Sequence, residues 1–129
     1  MNKALIDTDI FSEMLKAKNI NVVQKAKEYQ DIFGKFTIST ITVLEIVKGF
    51  HKMQFEQRIQ VFMESISSVE VLSLNLESAE TAGRIYADLE RTGQTIGRAD
   101  PIISAIALES GLVLVTGNVE HYQRILFFC

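Results

Sequence analysis

Three carboxylic acids are placed where they could build a metal-dependent site. Asp7 directly follows the apolar residues 4–6, Glu45 lies within an apolar stretch, and Asp100 stands immediately before Pro101. Carboxylates that cluster repel one another, so a site made of them binds a cation or holds a proton at neutral pH. The chain has only two histidines and one cysteine, which makes zinc a poor match. Oxygen ligands of this kind favour a hard ion, Mg²⁺ or Mn²⁺.

Each carboxylate also has a structural explanation. Asp7 fits a turn or a helix cap, although Asp9 is the more natural N-cap for a helix that starts at residue 10. Glu45 stands three residues after Thr42, which is the spacing of a capping box. Asp100 before a proline matches a favoured helix start, with the aspartate as N-cap. A capping carboxylate can still turn one oxygen toward a metal ion, so both interpretations stay open.

A polar turn and two arginines complete the set of candidate residues. Thr116 and Asn118 follow an apolar strand, where they are suited to orient a carboxylate or a water molecule. Asn118 fits a helix cap equally well. Arg98 and Arg124 are candidate contacts for phosphate, and ordinary solvated surface charge explains each of them as well.

Alternating strands and helices must bring these residues together. Hydrophobic periodicity predicts strands at residues 4–6, 36–39, 69–74 and 112–115, the last buried on both faces. Helices are predicted at residues 10–16, 22–33 with Asn21 as N-cap and Gly34 as stop, 40–51, 54–67, 76–92 with Asn75 as N-cap, and 101–110. Residues 119–123 fit a helical turn, and residues 125–128 fit an edge strand.

This order predicts an α/β fold with three α/β/α layers and a mostly parallel central sheet. Strands separated by helices need crossover connections, which place helices on both faces of the sheet. The inward face of the helix after Asn75 is predicted to include Ala79, Ala82, Tyr86 and Leu89. In such sheets, sites lie beyond the carboxyl ends of the strands, where Asp7 and Thr116 would meet.

Composition places the chain among single-domain soluble proteins. Residues 1–129 are expected to form one domain, with 47% hydrophobic and 22% charged residues. We expect no signal peptide and no membrane span. The only cysteine is Cys129, so a reducing cytoplasm is the expected location. The net charge of −3 argues against a broad basic field for nucleic acid, but is compatible with an enzyme that reaches a phosphodiester through carboxylate-held metal ions.

Three segments together resemble the PIN-domain family, and most closely its VapC-like ribonuclease toxins. The first is Leu5-Ile6-Asp7-Thr8-Asp9, similar to the family's strand that ends in Asp-Thr/Ser-Asn/Asp. The second is ISTITVLEIVKG at residues 38–49, similar to its glutamate-bearing helix. The third is residues 97–122, similar to its aspartate-led helix, apolar strand and Thr-x-Asn/Asp turn. The resemblance covers nearly the whole chain.

The resemblance implies a function and a set of roles. Asp7, Glu45 and Asp100 would be catalytic, metal-binding carboxylates. Supporting residues would be Thr8, Asp9, Thr116 and Asn118, the last an amide where many members have a fourth carboxylate. The activity implied is Mg²⁺- or Mn²⁺-dependent hydrolysis of RNA, either transfer RNA or ribosomal RNA. The implied partners are a VapB-like antitoxin and a second copy of the chain in a homodimer.

Two other functions are compatible with parts of the sequence. Asp7-x-Asp9 suggests a phosphatase of the haloacid dehalogenase type, but that family has Thr or Val where this chain has Phe11, and its late pair of aspartates is missing. A non-catalytic, PIN-like binding module is the other alternative. The intact set of Asp7, Glu45 and Asp100 argues against it.

Overall fold

A computed structural model of the chain describes residues 1–94 and 99–117. In these residues the strands are β1 (Ala4–Ile6), β2 (Thr37–Ser39), β3 (Glu70–Leu72) and β4 (Val113–Val115). The α-helices are α1 (Thr8–Lys16), α2 (Ile20–Phe33), α3 (Thr40–Lys52), α4 (Glu56–Ser65), α5 (Leu76–Arg91) and α6 (Asp100–Glu109), and one 3₁₀ turn spans Ile66–Ser68. The predicted turn at 119–123 and strand at 125–128 lie outside the described residues.

The strands form one parallel sheet in the order β3-β2-β1-β4. Leu5 of β1 pairs with Thr37 on one side and with Leu114 on the other. Every residue of β1 and β2 is buried, as expected for the central strands of a parallel sheet. The predicted α/β fold is therefore confirmed.

Helices pack on both faces of this sheet. Successive side chains of a strand point to opposite faces, so Leu5 and Ile6 enter different cores. Ile6 packs with Phe11 of α1, Ile46 of α3 and Phe62 of α4. Leu5 packs with Ile103 of α6 on the other face, where α5 and α6 lie together. The result is the predicted three-layer arrangement.

Strand β4 differs from its prediction. Val113 and Val115 are 49% and 40% exposed, and only Leu114 between them is half-buried. Among the described strands β4 lies at the edge of the sheet, so it has a hydrogen-bonded neighbour on one side only. The prediction that this strand is buried on both faces is wrong, because an apolar sequence does not reveal a strand's place in the sheet order.

Helix caps were predicted with mixed success. Asn75 caps α5, and its side chain and that of Ser78 bond each other's backbone N–H in a capping box. Gly34 ends α2 as predicted, but that helix is capped by Asn19, so the prediction of Asn21 is wrong. Ala79 is exposed, which corrects the predicted inward face of α5. The residues of that helix that are buried are Ser78, Ala82, Ile85 and Leu89.

In the part of the chain that the structure describes, no helix is both long and apolar enough to cross a membrane.

Candidate active site

Asp7 lies at the carboxyl end of β1 with both carboxylate oxygens bound. Oδ1 accepts a hydrogen bond from the backbone N–H of Thr8 at 2.7 Å, and Oδ2 accepts one from the Thr116 hydroxyl at 2.8 Å. The Asp7 backbone N–H donates to the carbonyl of Val115 at 2.9 Å, which ties the ends of β1 and β4 together. Asp7 is the N-cap of α1, and the prediction that Asp9 has this place is wrong. The carboxylate is 4% exposed, so it is buried at this edge.

Asp100 lies buried beside Asp7 at the start of α6. The N-cap of α6 is Ala99, which makes no side-chain capping bond, and Asp100 is the first residue of the helix. The prediction of Asp100 as N-cap is therefore wrong, because the helix begins one residue earlier than its proline suggests. A carboxylate in the first turn is stabilised by the partial positive charge at a helix N-terminus. Since Asp100 is not the cap, capping does not explain it, and this favours the interpretation of Asp100 as a metal ligand.

Burial and a neighbouring charge act on the protonation of Asp7. Desolvation raises the pKa of its carboxyl above the usual value, and the charges of Asp100 and Asp9 raise it further. The hydrogen bonds from Thr116 and Thr8 lower it and offset part of this effect. Asp100 also acts on Tyr86 of α5, whose pKa is raised by burial and by that charge. Two carboxylates and a tyrosine thus share one poorly solvated region.

Glu45 is joined to this region through Thr8. The Thr8 hydroxyl donates to Glu45 Oε1 at 2.6 Å and lies 2.9 Å from the hydroxyl of Thr42. A hydroxyl has one proton, so Thr8 accepts its bond from Thr42 while it donates to Glu45. The predicted capping box is wrong, because the cap of α3 is Ser39, whose hydroxyl accepts from the Thr42 N–H at 3.2 Å. The Glu45 carboxylate therefore bonds Thr8 of α1 and does not cap its own helix.

The residues present fit a hard divalent cation. Asp7 and Asp100 are buried carboxylates whose like charges raise the cost of ionising both, and a cation relieves that cost. The described ranges, 1–94 and 99–117, contain no three His, Cys, Asp or Glu side chains close enough together to hold one ion. Asp7 and Asp100 would therefore hold the ion most directly, with Glu45 one hydroxyl away.

The other predicted site residues differ in how close they lie to the carboxylates. Thr8 and Thr116 both contact the carboxylates, as described above. Asp9 is exposed in the first turn of α1, where its charge still acts on Asp7. Asn118, Arg98 and Arg124 lie outside the described residues, so their roles stay predictions.

Sequence reasoning missed two residues of the site. Thr42 supports Thr8, and Tyr86 lies beside Asp100. A signal for Thr42 was present, because it precedes Glu45 by three residues and so shares its helix face. Tyr86 had been assigned only to the inward side of α5, and no local pattern connects it to α6.

Comparison with known proteins gives consistent matches over nearly the full chain. The family model for the PIN domain matches residues 4–125. The tRNA(fMet)-specific endonuclease VapC of Shigella flexneri is 32% identical, with 97% of this chain and 93% of that protein covered. Ribonuclease VapC2 of Haemophilus influenzae is 30% identical, with 98% and 94% covered. A crystal structure of DNA-bound VapBC from Salmonella typhimurium aligns with a TM-score of 0.81 at 31% identity, covering 97% of this chain and 93% of that one.

Proposed function

The chain belongs to the PIN-domain family, and from that premise we propose that it is a metal-dependent endoribonuclease of the VapC type. The observation that supports this most is the buried carboxylate of Asp7 beside Asp100 at the carboxyl edge of a parallel sheet. A pair of buried like charges is costly for a fold, and chemistry explains it better than packing does. The relatives named as ribonucleases match over the segment that contains both residues.

The chain's own residues hold and orient the site. When bound, Mg²⁺ or Mn²⁺ would supply Lewis acidity that activates water and offsets negative charge on the phosphate. Asp7 is fixed through both oxygens by Thr8 and Thr116, so it keeps one orientation. Glu45 has Oε1 bound to Thr8, and no hydrogen bond within the described residues involves its Oε2. That oxygen is available to accept a proton or a hydrogen bond from a water molecule near the phosphate.

Transfer RNA is the first substrate to test, since the Shigella relative is named for one. We expect the purified protein to cut a pool of transfer RNA when Mg²⁺ or Mn²⁺ is present and not when a chelator is added. Asp7→Asn and Asp100→Asn keep side-chain size and remove a charge. Each should lower the cleavage rate about a hundredfold or more, the effect of removing a principal electrostatic group from an active site.

Asp31→Asn is the matched control, because Asp31 is an exposed aspartate on α2 away from the site. It should cleave like the wild type. Equal cleavage by all four proteins, or none by any on transfer or ribosomal RNA, would contradict the proposal. Release of phosphate from small phosphoesters by the wild type would instead support the phosphatase alternative that uses Asp7 and Asp9.

We further propose a cognate VapB-like antitoxin as partner, and a homodimer as the state of the chain in the cytoplasm. The Salmonella complex supports the antitoxin, since it aligns over nearly the full chain. A small protein encoded beside this one should co-purify with it and suppress RNA cleavage in stoichiometric amount. Light scattering of the purified chain measures the dimer directly. A monomer, or an encoded neighbour that neither binds nor inhibits, would contradict the respective part.

A further inference from the structure

A groove opens directly from the candidate site. It has a volume of about 570 Å³ between α1, α3 and the start of α4, and Thr8 and Glu45 are among the residues that line it. This volume falls within the roughly 300–1,000 Å³ typical of sites that hold small ligands. Because Thr8 and Glu45 belong to both the groove and the site, a molecule reacting at Asp7 would extend into the groove.

The wall of the groove is apolar and partly aromatic. Phe50 and Phe55 line it, together with Leu15, Ile46 and Met53. Phe55 is 37% exposed and Met53 is 62% exposed, although burial of such side chains is favourable. Exposed aromatic faces of this kind are platforms on which nucleic-acid bases stack.

Two cations stand on the rim of this wall. Lys16 and Arg58 line the groove, and the guanidinium carbon of Arg58 lies 4.3 Å from the centre of the Phe55 ring. Within residues 1–94 and 99–117, no carboxylate forms an ion pair with either cation. Among the described residues that line the groove, Glu45 of the candidate site is the only acid. The charge of the rim therefore suits a phosphate.

We infer that this groove binds the nucleotide next to the scissile phosphodiester of a single-stranded RNA segment. The base stacks against Phe55, and its phosphate is held by Lys16 and Arg58. This assignment rests on the proposed ribonuclease function. Unpaired cations beside an exposed aromatic ring favour a nucleotide over an apolar peptide, which has no need of the positive charge.

Gly49 allows the groove to be filled without harm to the fold. It lines the groove within α3, and no atom of the described residues, apart from its chain neighbours and the backbone of its own helix, lies within 4 Å of a Cβ placed on it. A leucine there projects into the groove, and replacing a helical glycine favours the helix. Gly83 of α5 has the same open surroundings but does not line the groove. Gly49→Leu and Gly83→Leu are therefore a matched pair.

Binding is measured in the Asp7→Asn background, so that cleavage does not interfere. The probe is a fluorescein-labelled single-stranded RNA of random sequence, followed by fluorescence anisotropy. Gly49→Leu should weaken binding about tenfold or more, within the range of losing one stacked base, and Gly83→Leu should leave it unchanged. Arg58→Gln should also weaken binding, whereas Arg84→Gln, which changes an exposed arginine on α5, should not.

A thiouridine-containing version of the same RNA, cross-linked by light, should attach to the segment around Phe55. The inference is overturned if Gly49→Leu binds RNA as tightly as Gly83→Leu does, or if the cross-link maps elsewhere. It is also overturned if Gly49→Leu abolishes binding of the antitoxin but leaves RNA binding unchanged, because the groove would then be a protein-binding site. Cleavage of transfer RNA by the wild type and by Gly49→Leu separates the two proposals. If both proteins cleave at equal rates, only the proposal that the groove binds RNA is contradicted. If the wild type does not cleave, the ribonuclease proposal is contradicted.

Discussion

Asp7 has two roles that set opposite demands on its charge. As the cap of α1 it accepts the Thr8 N–H, which favours the ionised form. As a buried group beside Asp100 it is penalised for ionising, and the penalty is the larger effect because its pKa is raised overall. A residue chosen only as a cap would sit at the surface, where ionisation is free of this cost. The conflict supports the proposal that Asp7 has a role beyond the cap.

Asp7→Asn should stabilise the metal-free protein at neutral pH. Because burial raises the folded-state pKa of Asp7 above its ordinary value of 3.8, the stability due to protonated Asp7 is fully present below that pH. It is lost as pH rises through the folded-state pKa. Asparagine caps a helix equally well and does not ionise. We expect a gain of about 1 kcal/mol or more at pH 7 and none at pH 3, measured by urea unfolding with a chelator present.

Added Mg²⁺ should make the wild type more stable than Asp7→Asn. At about 100 times its Kd, an ion that binds only the folded state stabilises it by about 2.7 kcal/mol. The wild type should gain this stability, and Asp7→Asn should not. A wild type that is more stable than Asp7→Asn without metal, or an equal response of both to Mg²⁺, would contradict this account of Asp7.

Thr8→Val tests the link between Glu45 and the rest of the site. Valine keeps the shape of threonine but removes the hydroxyl that bridges Thr42 and Glu45. Loss of such a supporting bond typically lowers activity or metal affinity about 10–100-fold. We expect this loss in transfer RNA cleavage, and near-complete rescue by Thr8→Ser, which restores the hydroxyl. Equal activity of the valine and serine variants would show that Glu45 needs no support from Thr8.

The residue types of the site were predictable, but their local roles were less so. Asp7, Glu45 and Asp100 are proposed from their places in the chain and from the family resemblance, and the three helix caps predicted beside them are wrong. Several polar residues lie within one turn of each helix start, and the sequence does not reveal which of them is the non-helical N-cap residue. At α3 the sequence pattern favours Thr42 as the cap, whereas Ser39 caps the helix. Because the cap is Ser39, three residues before Thr42, the Glu45 carboxylate is not used in a capping box and accepts a hydrogen bond from Thr8 instead.

At the scale of elements, β2 and β3 are joined by a polar contact at the sheet's other end. The Thr37 hydroxyl, fully buried, donates to Glu70 at 2.8 Å, and Lys3 lies 3.0 Å from the same carboxylate. The hydrogen bond from Thr37, followed by Lys3, lowers the pKa of Glu70. The stabilising effect of ionised Glu70 is therefore present above its ordinary pKa of 4.5 and is lost as pH falls through the lower folded-state pKa.

Glu70→Ala should destabilise the protein by about 1–3 kcal/mol at pH 7, because it leaves the buried Thr37 hydroxyl without its acceptor. The half-exposed pair with Lys3 adds little to this. Thr37→Val in the Glu70→Ala background should recover much of the loss, since no hydroxyl then remains to be satisfied. Urea unfolding of the two single variants and the double variant measures the coupling. Strictly additive losses would mean that the hydroxyl finds another partner.

The order of elements was predicted well, and their environment less well. Strand and helix periods are local, so the four strands and the helix capped by Asn75 follow from neighbouring residues. The exposure of Val113 and Val115 depends on which strand lies beside β4, and that is a long-range fact. The lining of the groove is also a long-range fact, because Lys16 ends α1 and Phe55 precedes α4, far apart in the chain. That residues 1–129 act as one domain stays a prediction.

At the scale of the whole molecule, an acidic chain must bind a polyanion through a few local cations. There are 16 acidic residues against 13 lysines and arginines, which argues against a broad basic field that attracts RNA. Lys16 and Arg58 on the groove are the cations that the described structure places beside the site. Arg98 and Arg124 are further candidates from the sequence. Affinity for RNA should thus depend only mildly on salt.

The salt dependence of binding gives the number of phosphate contacts. For single strands, log K falls by about 0.7 per contact for each unit of log salt concentration. Two contacts predict a slope of about −1.4, and four contacts, with Arg98 and Arg124 included, about −2.8. Titration of the labelled RNA with KCl, without divalent ions and in the Asp7→Asn background, should give a value in this range. Arg58→Gln should flatten the slope by about 0.7, whereas Arg84→Gln should leave it unchanged. An unchanged slope in Arg58→Gln would show that this arginine does not contact an RNA phosphate. A slope far steeper than −2.8 would mean that the acidic chain has a basic surface beyond these residues.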